Sequence, residues 1–232
     1  MDGIVNDLQQ QTLRLYGALV ELREDWAHAL VLCCGNECAL TGIPSAVSIA
    51  TGTTLAVDSN AAAMKQAMRR GEVDFVVTSL DEALRTLKNE IRQGRALSVG
   101  VIADTRAVLA EAVERGVLPA LWVEFQNPEA KAWAPEIASM QAEGMPSLNF
   151  DEAAAESNPW LAKHGWKERF LAAANAVELR AVDASLLALV PESDTVRRRW
   201  IQRAPQYLRG ARLGGRWIWL SEDESQKLQP QS

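Results

Sequence analysis

Cysteine is scarce in this sequence of 232 residues, and its three copies, Cys33, Cys34 and Cys38, lie within six residues. An odd, clustered set of thiols is not a disulfide framework, which favours a reducing cytoplasm as the compartment. Neighbouring residues of a strand point to opposite faces, so Cys33 and Cys34 cannot hold one ion together. We therefore predict no metal site. Cys38 is predicted as a small buried residue, which we favour over a reactive thiol.

Histidine is scarcer still, with two copies, His28 and His164. His28 opens a predicted strand at the end away from a ligand crevice, and His164 lies in a predicted turn, so neither is a good candidate for a general base.

The chain also lacks an amino-terminal signal pattern and an apolar run of the roughly 18–20 residues that a bilayer requires. We expect no membrane association.

Positive charge is in deficit, with a formal net charge of −6, so no chain-wide basic field attracts nucleic acid.

Phenylalanine and tyrosine are also few, but there are eight tryptophans. Six of these lie at or after Trp133, among arginines such as those at 197–199. Aromatic residues beside arginines are enriched at interfaces. We predict core or homodimer packing by this Trp/Arg-rich carboxyl-terminal region, with an aromatic ligand cage as the alternative.

A regular alternation of strands and helices is predicted from His28 to Glu124. Apolar runs typical of buried parallel strands alternate with helical patterns of about 10–15 residues, which predicts an α/β, doubly wound, Rossmann-like parallel sheet. The predicted strands are His28–Cys34, Thr53–Val57, Val73–Val77, Leu97–Ile102 and Leu118–Val123. The predicted helices between them include Asn60–Arg70, one that Ser79 caps and that runs to Gly94, and Asp104–Arg115.

The alternation weakens on both sides of this central part. We predict an amino-terminal helix within residues 1–25, the Rossmann-type domain in residues 26–150, and a mostly helical extension in residues 151–232. Within and before that extension, the predicted elements are a helix over Asn127–Gly144, a strand over Pro146–Phe150, a helix over Trp166–Leu179 and a late β element over Leu213–Leu220.

Several sequence pieces in the central part carry a family resemblance. They read S-L-D-E-A-L at Ser79–Leu84, G-R-A-L-S-V-G-V-I at Gly94–Ile102 and E-R-G-V-L-P-A-L-W-V-E at Glu114–Glu124. Upstream pieces at Gly35–Pro44 and Leu55–Asp58 have the matching order and spacing. This succession resembles the nucleotide-binding domain of urocanase (urocanate hydratase), an NAD-dependent lyase. The resemblance spans roughly His28–Glu124 and implies a Rossmann-type fold with NAD as the candidate cofactor.

The resemblance also indicates which residues would bind a dinucleotide. In the family, the loop after the first strand is almost all glycine, so that its backbone can approach the phosphates. This chain has G-N-E-C-A-L-T-G-I-P there, in which Gly35 is retained and Glu37 introduces a carboxylate. A carboxylate within a few Å of a pyrophosphate costs on the order of 1 kcal/mol or more.

Three acidic residues complete the predicted cofactor-binding set with Gly35. Asp58 follows the second strand, where an acid accepts hydrogen bonds from ribose hydroxyls, and a turn residue or helix cap is an equally good interpretation. Asp104 follows the fourth strand and is predicted mainly as a helix N-cap. Glu124 ends the fifth strand and retains the acid of a longer polar run in the family.

The pattern supports two functions. The first is a stand-alone urocanase-like domain, a non-catalytic scaffold or small-ligand-binding protein without urocanate hydratase activity. It rests on the lost glycines and on the absence of a counterpart to the family's cysteine-bearing catalytic core. The alternative is an enzyme, or a subunit of one, that binds NAD or another dinucleotide near Gly35, Asp58 and Asp104.

Overall fold

The fold is described by a computed structural model for residues 2–126, 128–155, 159–208 and 214–228. The strands of its main sheet are β1 (Leu30–Cys34), β2 (Thr53–Asp58), β3 (Phe75–Val77), β4 (Leu97–Ile102), β5 (Leu121–Glu124) and β6 (Ser147–Asn149). They lie in the order β3-β4-β2-β1-β5-β6, and every neighbouring pair is parallel. The predicted α/β, Rossmann-like parallel sheet is therefore confirmed.

Helices precede, connect and follow these strands, and they cover both faces of the sheet. They are α1 (Asp2–Leu22), α2 (Ile43–Ile49), α3 (Ala61–Arg70), α4 (Leu80–Gln93), α5 (Thr105–Glu114), α6 (Ala134–Ala142), α7 (Phe150–Ala154) and α8 (Pro159–Lys163). Two 3-10 turns, Cys38–Leu40 and Pro128–Ala132, interrupt the connections. Of the helix predicted over Asn127–Gly144, the first residue lies outside the described residues, and the rest is the second of these turns followed by α6.

Side-chain caps set the starts of the central helices where the sequence predicts them. Asn60 accepts hydrogen bonds from the amides of the first turn of α3, Ser79 accepts one from the Glu82 amide, and Asp104 accepts one from the Ala107 amide. Each cap satisfies amides that have no partner inside the helix.

The two faces of the sheet form separate apolar cores. One face packs against α4, α5 and α6, and the other against α1, α2, α3 and the carboxyl-terminal elements. Cys33 belongs to the second core and Cys34 to the first. The prediction that these two thiols point to opposite faces is thus confirmed, and it follows from the pleat of a strand that is buried on both sides.

The carboxyl-terminal part adds a small second sheet. Its antiparallel strands are β7 (Lys167–Ala172) and β8 (Gly215–Leu220), and its helices are α9 (Ala176–Leu189), α10 (Thr195–Tyr207) and α11 (Glu222–Leu228). The predicted late β element is confirmed from Gly215 onward, while Leu213 lies outside the described residues.

The predicted helix over Trp166–Leu179 is wrong. Its first half is strand β7, and α9 begins only after Asn175, which caps it. Pairing with β8 imposes the extended conformation, and Phe170 packs against Trp217 across the pair with ring centroids 5.3 Å apart. Tertiary pairing therefore overrides an amphipathic helical pattern.

Tryptophans join this region to α1. Tyr16 of α1 lies 5.7 Å from the ring of Trp200 and 6.0 Å from that of Trp219, and its hydroxyl donates to the carbonyl of Val196. Trp200 and Trp219 are fully buried within the chain. Packing inside one chain therefore accounts for these two rings. The homodimer stays a prediction, which light scattering of the purified protein would test.

Buried arginines are neutralised by carboxylates in the same region. The guanidinium of Arg216, on β8, is 0% exposed and donates to both carboxylate oxygens of Asp183, at 2.7 and 2.8 Å. Arg197 pairs with Asp194 and Glu224 and lies 4.4 Å from the ring centre of Trp166. Burial of a charge is tolerable only with such partners.

Across the described residue ranges, none of the helices combines the length and apolarity that crossing a bilayer demands.

Candidate functional site

The order of the strands locates the crevice of the main sheet. From β1 the chain moves to β2 on one side, whereas from β5 it moves to β6 on the other side. In open α/β sheets, ligands bind at the carboxyl ends of strands where the winding reverses in this way. The candidate site therefore lies between the segment after Cys34 and the segment after Glu124.

The predicted site residues lie along this carboxyl edge in the order of their strands. Asp104 follows β4, Asp58 ends β2, Gly35 follows β1 and Glu124 ends β5, and these strands are consecutive in the sheet. Within the described ranges, the hydrogen bonds that join two of these positions link the loops after β1 and β2. Asp104 is occupied as the N-cap of α5, and Glu124 is exposed.

The loop after β1 has an unusual backbone. Gly35, Asn36 and Glu37 have φ angles of 63°, 52° and 52°, which place three successive residues in the left-handed region. Residues other than glycine rarely adopt this conformation, so surrounding contacts must hold it.

Hydrogen bonds within the protein supply those contacts. Six amides of residues 35–42 donate to acceptors of the chain itself, at 2.7 to 3.3 Å. They are the amides of Gly35, Glu37, Cys38, Leu40, Thr41 and Gly42. A dinucleotide site needs amides of this loop to face the phosphates. Here most of them already have an acceptor.

Asp58 ties the first two loops together. Its Oδ2 accepts the Glu37 amide at 2.9 Å, and its Oδ1 accepts the Asn60 amide at 2.8 Å. The residue is 6% exposed. The side chain of Asn60 donates in turn to Glu37 Oε1 at 3.1 Å. The structure thus places Asp58 as a turn residue, one of its two predicted interpretations, while a ribose contact stays a prediction.

A second carboxylate, which the sequence analysis missed, lies at the start of α2. Glu72 Oε2 accepts the amide of Gly42, the residue before α2, at 3.1 Å. Glu72 is 5% exposed, and burial raises the pKa of its carboxyl to about 7. The amino end of a helix attracts anions, and at α2 this position is occupied by the carboxyl group of Glu72. Glu72 directly follows Gly71, the C-cap residue of α3, where the sequence pattern predicts an exposed turn. No sequence signal therefore indicates that Glu72 is buried.

Gly42 is the tightest point of this loop. Its φ is 78°, and a Cβ atom added there would lie 2.4 Å from Thr12 Oγ1 of α1. We expect Gly42→Ala to lower the free energy of unfolding by at least about 2 kcal/mol, since left-handed strain and overpacking add. Urea denaturation measures the loss.

Gly71→Ala is the matched control for this prediction. Gly71 has a similar φ of 75°, but nothing lies within 4 Å of its added Cβ. That variant should lose only the conformational part, about 1 kcal/mol. Equal losses in the two variants would contradict a close approach of α1 to the loop.

The cysteines near the site are all buried. Burial raises the pKa of the Cys34 and Cys38 thiols, which keeps them protonated and unreactive. The prediction of Cys38 as a small buried residue is confirmed. Among the described residues, no group of three or more His, Cys, Asp or Glu side chains is arranged to hold a metal ion.

The sheet, its winding reversal and the loop after β1 define a Rossmann-type domain. Comparison with protein families then gives its affiliation, since residues 9–134 match the family described as "Urocanase Rossmann-like domain". The match covers more than half of the 232 residues and begins in α1, ahead of the pieces that carry the resemblance in the sequence. The chain belongs to this family.

Proposed function

We propose that this chain is a non-catalytic scaffold or small-ligand-binding protein built on a urocanase-type Rossmann domain, without urocanate hydratase activity. One observation carries the proposal: six amides of the loop after β1 bind acceptors of the chain itself. A dinucleotide could engage these donors only by breaking bonds that also hold Asn36 and Glu37 in the left-handed conformation.

Electrostatics support the same conclusion. Glu37 and Asp58 place two carboxyl groups at the loop where a pyrophosphate would have to lie, and Glu72 occupies the start of α2. Like charges a few Å apart in a partly desolvated site repel by a few kcal/mol. A neutral or cationic small ligand is compatible with this edge, whereas a phosphate ester is not.

The alternative is a dinucleotide-binding enzyme or enzyme subunit. Its support is the position of Asp58 at the end of β2, where Rossmann-type domains contact the adenosine ribose. Because both oxygens of Asp58 already accept backbone amides, that contact would depend on their remaining lone pairs.

Calorimetric titration with NAD, together with mass spectrometry of small molecules released on denaturation, tests the proposal. We expect no stoichiometric NAD in the purified protein, no saturable heat up to millimolar NAD, and no loss of urocanate absorbance when both compounds are added. Stoichiometric NAD, or micromolar binding that Asp58→Ala abolishes and the remote Asp81→Ala leaves intact, would establish the alternative instead.

A further inference from the structure

A cavity opens at the other edge of the main sheet, beneath the amino ends of β1 and β5. Its volume is about 640 Å³, within the range of about 300–1,000 Å³ typical of small-molecule sites. One wall is α4, and the others are the segments that lead into β5 and β6. The cavity is separate from the crevice at the carboxyl ends, so a ligand bound in it is independent of the outcome of the NAD titration.

The inner surface of the cavity is mainly apolar. Leu84 and Ile91 face it from α4, and Leu30 faces it from the start of β1. Leu118, in the segment before β5, also lines the cavity and is 46% exposed, which makes it one of the few large apolar side chains that the described structure leaves open to solvent. A concave site whose walls are mainly apolar fits a ligand with a hydrocarbon part.

The charged groups of the cavity are cationic, although the chain carries a net charge of −6. Lys88 lies on α4 between Leu84 and Ile91, and it forms no ion pair within the described parts of the chain. Arg115, in contrast, is paired with Asp81 and Glu111. The described lining residues include no carboxylate. Among the cations that line the described cavity, Lys88 is therefore the one left available to a ligand.

His28 forms a fixed rim of the cavity. Its Nδ1 lies 2.7 Å from the carbonyl oxygen of Ile91, and because a carbonyl only accepts, Nδ1 carries the proton. Its ring also lies against Gly94, where an added Cβ would be 3.1 Å from Nε2. The backbone of His28 has a φ of 67°. These contacts lock the ring beside the start of β1.

We propose that this cavity binds a small amphipathic carboxylic acid. The carboxylate pairs with Lys88, and the hydrocarbon part lies against Leu30, Leu84 and Leu118. Charge complementarity selects an anion over a cation, and the apolar walls select a medium-length hydrocarbon chain over a small polar acid.

Calorimetric titration of the full chain with decanoate tests this site. We expect saturable one-to-one binding that Lys88→Gln weakens about tenfold, the usual size of a charge-assisted hydrogen bond. Leu118→Gln should weaken it several-fold. Lys65→Gln, which changes an exposed lysine on α3, is the matched control and should leave binding unchanged. Both cavity variants alter exposed side chains, and thermal melting by circular dichroism verifies that each still folds.

Two further ligands separate the contributions of head group and chain. Decylamine should bind at least tenfold more weakly than decanoate, and acetate should give no saturable heat. The proposal is overturned if decanoate does not bind, if Lys88→Gln binds it as tightly as the unaltered chain, or if decylamine binds as well as decanoate.

Discussion

Replacing Asp183 by alanine is expected to lower the free energy of unfolding by about 3–5 kcal/mol, because it leaves a buried guanidinium without its counter-ion. The guanidinium is that of Arg216, whose side chain is fully buried and whose Nε and Nη2 donate to Asp183. Among the described residues, none accepts a hydrogen bond from its Nη1, so none of them is a second acceptor that could take over. Urea denaturation followed by circular dichroism measures the loss.

Two comparisons identify the cause of that loss. Asp81→Ala removes an exposed acid that pairs with Arg85 and Arg115, and it should cost about 1 kcal/mol or less. The double variant Asp183→Leu with Arg216→Met removes both charges and should recover much of the stability, since apolar pairs often replace buried ion pairs without loss. A double variant as unstable as the single one would show that packing, rather than the uncompensated charge, dominates.

Glu72 gives the second large effect, a dependence of stability on pH. Its folded-state pKa of about 7 lies above the ordinary value of 4.5. Between these values the folded chain binds the proton more tightly than the unfolded chain, so the contribution of Glu72 falls as pH rises from 4.5 to about 7. At about 1.4 kcal/mol for each unit of difference, the full change is about 3 kcal/mol.

Glu72→Gln isolates this contribution. Glutamine retains an oxygen that can accept the Gly42 amide but never ionises, so we expect the variant to gain stability relative to the unaltered chain at pH 8 and to lose most of that advantage at pH 5. Unfolding in urea across this pH range gives the difference between the two proteins. Glu143→Gln, at an exposed acid, serves as the control. A difference that does not vary with pH would contradict the elevated pKa.

The sequence predicts the elements of the sheet well because each strand carries a strong local signal. Leu97–Ile102 is observed with its predicted bounds, and the caps at Ser79 and Asp104 begin the helices that they are predicted to begin. The order of the strands in the sheet, in contrast, cannot be predicted from local sequence. Strands β1 and β2 are buried throughout, so their apolar pattern does not specify which strands lie beside them. No local signal indicates that β4 inserts between β2 and β3.

The sequence predicts the position of the candidate site in the sheet, but it does not predict the hydrogen bonds that its residues form. The alternation of strands and helices places Gly35 and Asp58 at one edge of the sheet, as observed. The hydrogen bonds from Glu37 and Asn60 to Asp58 depend on how two loops meet. The approach of Glu72 to Gly42 likewise joins residues 30 positions apart. Strand β7 escapes prediction for the same reason, because its partner β8 lies far along the chain.

The join between α1 and β8 has a consequence for biosynthesis. Gln9 accepts the amide of Trp217 and donates to the carbonyl of Gly215, so residues more than 200 positions apart share hydrogen bonds. A ribosome adds roughly 5–20 residues each second, so α1 must wait at least about ten seconds for β8 to be made. During that interval the apolar side of α1 lacks part of its covering. The native packing of α1 can therefore be completed only after β8 has been made.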